Sequence, residues 1–70
     1  MELRNKLKEI RTVRELTQEA LAVKVGVTRQ TVIAIEKEKF VPSTKLALEL
    51  AAALDVPFGE LFWLEKGGER

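Results

Sequence analysis

The sequence contains no cysteine, no histidine and no tyrosine. Without cysteine there is no disulfide framework, no zinc–thiolate centre and no thiol nucleophile. Without histidine the usual general base and the commonest metal ligand are missing. Serine occurs only as Ser43 and aspartate only as Asp55; each stands at a helix boundary, where capping suits it better than chemistry. Carboxylates and lysines are all that remain for acid–base work, and they form neither a ligand cluster nor a phosphate-cradling loop. An enzyme is therefore not expected, and neither a metal nor a cofactor is implied. No apolar run approaches the ~20 residues of a membrane span. The opening MELRNKLKEI is charged throughout and lacks the apolar core of a signal peptide. The expectation is a cytoplasmic protein with no membrane partner. Its 70 residues allow one small domain, near the lower size limit for a core without metal or disulfide.

Charge is also scarce in net terms, at +1, but it is unevenly placed. Residues 1–45 hold ten Lys and Arg against six Glu, and residues 46–70 hold two basic against five acidic side chains. The basic part is where an electrostatic footprint for phosphate would lie. An ordinary solvated surface would show a contrast of similar size.

What the sequence does have is a stretch from Thr17 to Glu36 in which two short amphipathic segments flank Gly26. Leu21, Val25, Val27, Val32 and Ile35 occupy apolar positions, while Gln18, Lys24, Arg29 and Gln30 stay polar. Thr17 and Thr28 each precede an apolar-periodic run, where a threonine hydroxyl can bond an orphan N–H of the first turn. Gly26 suits a tight turn with positive φ. Ala22 is small where two helices must cross closely. Cap, helix, glycine turn, cap, helix is the helix-turn-helix pattern.

The periodicity predicts the rest of the chain around it. A first helix is expected over about Glu2 to Val13, with Leu3, Leu7 and Ile10 as one stripe. Two helices follow, at about Gln18–Val23 and Arg29–Ile35. A fourth should run from after Ser43 to about Leu54, stopped by Asp55. A fifth should begin at Pro57 and contain Leu61, Phe62, Trp63 and Leu64. The expected fold class is all-α, a compact bundle of about five helices. Residues 1–65 form the domain, with the motif at 17–36, and residues 66–70 are expected to be a flexible C-terminal tail.

The motif resembles the lambda-repressor/Cro-type (xenobiotic-response-element-like, XRE) helix-turn-helix domain, over about residues 3–64. The shared pattern is Gln18, Ala22, Gly26, Thr28, apolar Val32 and Ile35, and Glu36, with Arg11 before it and Pro42-Ser43 after it. Two positions depart from it, since Glu15 and Glu38 stand where relatives usually carry glycine or, at the first, asparagine. Either the backbone at Glu15 is left-handed at a cost of roughly 1 kcal/mol, or the loop differs; at Glu38 the cap geometry is in question.

The resemblance implies double-stranded DNA as the partner, with the third helix in the major groove. Arg29 and Gln30 would lie on its first turn, where arginine can bond guanine O6 and N7 and glutamine can bond adenine N6 and N7. Ile33 projects beside the core face and can touch a thymine methyl or pack as an ordinary apolar residue. Ala34 offers at most a methyl contact. Gln18, Thr28, Thr31, Lys37 and Lys39 are candidate phosphate contacts, which position the protein without reading sequence. For the lysines, simple solvation is an equal alternative. Relatives link the positions of Arg11 and Glu36 by an arginine–carboxylate pair, so a structural ion pair is implied there.

Phe58, Leu61, Phe62, Trp63 and Leu64 put more apolar surface near the C-terminus than a domain this small can bury. Some are expected in the core and the rest in a dimer interface, with a homodimer reading a palindromic operator. The family implies a transcriptional regulator, a repressor more readily than an activator because occupying a promoter needs only this domain. No sensor domain is expected. The competing reading is an antitoxin or adaptor-type interaction module with a separate protein partner.

Overall fold

The chain opens with a strand. In the computed structural model, which describes residues 1–66, β1 (Glu2–Asn5) precedes α1 (Leu7–Val13). Then come α2 (Gln18–Val25), α3 (Arg29–Glu36), α4 (Thr44–Leu54), α5 (Phe58–Leu61) and β2 (Phe62–Glu65). The tail expected at 66–70 lies, from residue 67 onward, outside the described residues. No described helix is long and apolar enough to cross a membrane.

The all-α expectation is corrected at both ends. β1 and β2 pair antiparallel, with Leu3 opposite Leu64, Arg4 opposite Trp63 and Asn5 opposite Phe62. The spacing of Leu3 to Leu7 fits a helical stripe, but a strand that turns into a helix can deliver the same two side chains to the core. Leu7 is fully buried and Leu3 packs against the same cluster. The helix starts late because Asn5 intercepts it: its Oδ1 accepts the Leu7 N–H at 3.0 Å, and the Lys6 N–H is spent on the Leu61 carbonyl. At the other end, Phe62, Trp63 and Leu64 leave the helix after Leu61. Aromatic side chains suit a pleated, half-buried surface, and β1 supplies the ladder partner.

α2, α3 and α4 start where the sequence placed side-chain caps. Thr17 accepts from the Ala20 N–H, Thr28 from Thr31 and Ser43 from Leu46, at 3.0, 3.3 and 3.1 Å. The helices close on one core of Leu7, Leu21, Ala22, Val32, Ile35, Ala47, Leu50, Ala51, Leu54, Leu61 and Phe62. Each fully buried leucine contributes about 1.5–3 kcal/mol relative to leaving it in water.

α1 to α4 all end the same way. Glu15, Gly26, Glu38 and Asp55 have φ between 57° and 75°. In each case the N–H of that residue bonds three residues back and the next N–H bonds five back, as in Glu15 to Thr12 and Leu16 to Arg11. This is the Schellman closure, which normally favours glycine. Only one of the four is glycine, so the left-handed turn survives at two glutamates and an aspartate. Global packing holds them there. At Asp55 a further tie helps: the Arg14 guanidinium donates to the Leu54 carbonyl at 2.8 Å and to the Asp55 carbonyl at 3.2 Å, capping α4 from outside.

Glycine at Glu15 removes the Cβ penalty while keeping the two closing bonds. Glu15→Gly is expected to raise stability by about 0.5–1 kcal/mol, read as an increased urea midpoint with an unchanged slope. Glu38→Gly should gain less, because it also removes a carboxylate 3.1 Å from Arg4.

Candidate nucleic-acid interface

α3 is divided by its own periodicity. Val32 and Ile35 are buried against the other helices. Gln30, Ile33, Ala34 and Lys37, spaced i, i+3, i+4, i+7, fall on the opposite face. Gln30 and Lys37 are exposed and Ile33 and Ala34 are half-buried. Arg29 is exposed at the edge of this face, on the first turn. Neither Arg29 nor Gln30 has a side-chain hydrogen bond or ion pair among the described residues. The helix start is fixed locally: Thr28 and Thr31 join hydroxyls at 3.1 Å above the cap bond.

The far end of α3 is tied down by a polar node. Arg11 Nε donates to Glu36 Oε2 at 2.6 Å, and its Nη2 donates to Oε1 at 3.4 Å. Its third bond goes to the Leu16 carbonyl at 2.8 Å. Gln18 Nε2 donates to Glu36 Oε1 at 3.1 Å. The pair is well shielded, with the Arg11 and Glu36 side chains 11% and 5% exposed. One carboxylate therefore joins α1, the loop after it, α2 and α3.

This geometry changes what Gln18 can contribute. Its side chain is half-buried and spends one of its two N–H groups on Glu36. The start of α2 still presents backbone N–H groups: Thr17 takes the one at Ala20, leaving those of Gln18 and Glu19, which no helix carbonyl can reach. Thr28 is exposed and Thr31 half-buried on the first turn of α3; Lys37 and Lys39 are exposed just past its end. Glu38, between those lysines, is paired with Arg4 of β1.

The apolar residues near the C-terminus separate into two groups. Leu61 and Phe62 belong to the monomer core, at 0% and 2% exposure, and are withdrawn from the expected dimer surface. Phe58 stays 42% exposed with its ring 5.7 Å from that of Phe62, and Leu64 is 63% exposed at the end of β2. Trp63 is half-buried on the other side of the sheet, with the Lys6 ammonium 5.9 Å from its ring centroid.

Two side chains that sequence reasoning passed over hold this arrangement. Asn5 joins β1 to α3, its Nδ2 donating to the Ile35 carbonyl at 3.0 Å. Arg14 caps α4. A short polar residue two places before Leu7 is a capping signal that points to Asn5; nothing local points to Arg14, whose partners lie 40 residues away.

A helix-turn-helix family model matches residues 7–61. The chain belongs to the XRE-type helix-turn-helix family of DNA-binding transcriptional regulators. Among its relatives is the uncharacterized HTH-type transcriptional regulator YgzD of Bacillus subtilis. It is 48% identical over 64 residues, spanning 91% of this chain and 97% of that protein. The uncharacterized HTH-type transcriptional regulator MJ0272 of Methanocaldococcus jannaschii is 51% identical over 63 residues, spanning 90% and 96%. The crystal structure of the restriction-modification controller protein C.AhdI from Aeromonas hydrophila superposes with a TM-score of 0.73 at 39% identity, covering 77% of this chain and 78% of that one. For an XRE-type domain, the buried node at Glu36 is the joint between the scaffold and the helix that faces outward.

Removing one partner of a buried pair leaves an uncompensated charge. Arg11→Ala is expected to cost about 3–5 kcal/mol, measured by urea unfolding. Glu36→Gln, which removes the charge and keeps the shape, should cost less than Glu36→Ala.

Proposed function

We propose that the chain is a sequence-specific double-stranded DNA-binding regulator that works as a homodimer on a palindromic operator, with α3 in the major groove, and represses by occupying the promoter. The observation that carries this reading is the outward face of α3. Its first turn offers Arg29 and Gln30 with no competing side-chain bond among the described residues, on a helix whose other end is fixed by Arg11, Gln18 and Glu36. Arg29 and Gln30 act as hydrogen-bonding base readers. Ile33 and Ala34, half-buried on the same face, supply apolar contact to thymine methyls.

Phosphates on either side are held by the first N–H groups of α2, the Thr28 and Thr31 hydroxyls, Lys37 and Lys39. The homodimer is supported by Phe58 and Leu64, two large apolar side chains left exposed near the C-terminus, whereas Trp63 lies on the opposite face of the sheet. Similarity to a protein described as a restriction-modification controller supports a regulatory role. The chain is a binder and not an enzyme, and it works in the cytoplasm, where its duplex is.

Selection of binding sites from a random duplex pool by the purified protein tests the reading. An inverted repeat with half-sites about 34 Å apart is the expected outcome. Recovery of no motif, with only weak binding at low salt, would transfer the weight to a protein-interaction module.

On the selected operator, Arg29→Ala should cost about 1–3 kcal/mol and relax preference at one base pair. Lys39→Ala should weaken all duplexes alike and reduce the salt slope by about one. The quaternary expectation has its own check: Phe58→Glu with Leu64→Glu should shift the protein to monomer in sedimentation equilibrium while the thermal unfolding of the monomer persists.

A further inference from the structure

We propose that β1 is a clasp on the C-terminal end of α3, and that Asn5 is a positioning residue for base reading. The inference rests on the DNA-binding reading above and adds to it a residue outside the helix-turn-helix motif.

The last four carbonyls of a helix have no partner within it. In α3 the capping N–H groups already serve three of them: Lys37 bonds Ile33, Lys39 bonds Ala34 and Glu38 bonds Ile35. Asn5 Nδ2 adds a second donor to the Ile35 carbonyl. It does not rescue an orphan; it attaches a different element to the helix end. The amide is held in that orientation by its other atom, since Oδ1 accepts from the Leu7 N–H. Both halves of the asparagine are used, and no other side chain of that length offers an acceptor and a donor together. Arg4, the preceding residue of the strand, reaches the same end of α3 through Glu38 at 3.1 Å.

The lever arm explains why this end matters. α3 has eight residues, so it is about 12 Å long. Its proposed hydrogen-bonding base readers, Arg29 and Gln30, lie on the first turn, and its long-range polar ties lie at the last. About 10° of play at the tethered end moves the first turn by roughly 2 Å, beyond the ~0.5 Å within which a recognition constellation must be held. Phosphate contacts tolerate such movement because they depend on charge and distance. Bidentate bonds to base edges do not. Loosening the clasp therefore costs discrimination before it costs general affinity.

The test uses the full chain with Asn5→Ser and Asn5→Asp. Both retain an acceptor for the Leu7 N–H; ionised aspartate has no donor, and the single, shorter serine hydroxyl does not reach the Ile35 carbonyl from that position. Far below the unfolding midpoint, the ratio of operator affinity to scrambled-duplex affinity should fall roughly tenfold, the equivalent of about one hydrogen bond. With the neutral serine, scrambled-duplex affinity and its salt slope should stay at wild-type values. A merely structural role would lower both duplexes together, through the unfolded fraction; that result, or an unchanged ratio, overturns the proposal.

A second readout needs no DNA. Amide exchange at Glu38 and Lys39 should accelerate in both variants, while Asp55 and Val56, in the equivalent closure of α4, keep their protection. Unchanged protection at Glu38 and Lys39 would overturn the clasp even if no operator were recovered, whereas a missing operator with accelerated exchange would overturn the DNA-binding reading alone.

Discussion

The Glu36 carboxylate is the constraint on which the orientation of α3 depends. A charge this shielded is tolerable only if its lone pairs are fully engaged, and here three donors from two side chains converge on it. The same requirement fixes Arg11, whose remaining bond holds the Leu16 carbonyl and so sets the loop that leads into α2. Apolar packing alone would let α3 rotate or slide by small amounts, because side chains such as Val32 and Ile35 make non-directional contacts. The directional bonds at Glu36 and Ile35 select one orientation. Stability comes mainly from the core, and orientation comes from the polar node beside it.

Directionality also separates what was legible in the sequence from what was not. Thr17, Thr28 and Ser43 were legible as caps because a cap acts within three residues of itself, and all three make their bonds. The core of α2 to α4 was legible for a related reason, since the 3.6-residue period is a local property. The strands were not. Leu3 and Leu7 satisfy a helical spacing, and only the pairing of Glu2–Asn5 with Phe62–Glu65, at the far end of the chain, shows that Glu2–Asn5 is extended. For the same reason the apolar run from Leu61 to Leu64 read as helix. Its aromatic content was the available signal, and the run is too short for period to decide between helix and strand. Of the candidate site, the exposed first turn of α3 was legible, but the bond from Gln18 to Glu36 was not, because it depends on Glu36 being presented from another helix.

The left-handed residues show how far global structure can override local preference. Glu15, Glu38 and Asp55 adopt a backbone that glycine reaches more cheaply. A turn flanked on both sides by buried helices has little freedom to rearrange, so the local cost is absorbed by packing. Glu38 then acquires a use that glycine would not have. Its carboxylate meets Arg4, and Arg4 also approaches Glu65 at 3.5 Å and Glu2 at 3.9 Å. One guanidinium thus gathers carboxylates from both strands and from the end of α3. These contacts are partly exposed and individually weak, and their value lies in where they place charge.

That placement bears on how a domain of net charge +1 can approach a polyanion. Lys37 and Lys39 flank Glu38, and an unpaired glutamate between them would oppose a phosphate at the same spot. Because Arg4 draws the Glu38 carboxylate toward β1, the two lysines are left as the charges that face outward. Within the XRE-type architecture this makes the sheet more than a cover for the core. It neutralises the one acidic side chain between the lysines at the end of α3, and through Asn5 it holds the backbone of that same end. With Ala34 offering no hydrogen bond, the outward face has few groups that can distinguish one base from another. On the proposed reading of that face, discrimination rests less on the number of contacts than on how closely each is held to its ideal geometry, which is where the ties at Glu36 and Asn5 bear on it.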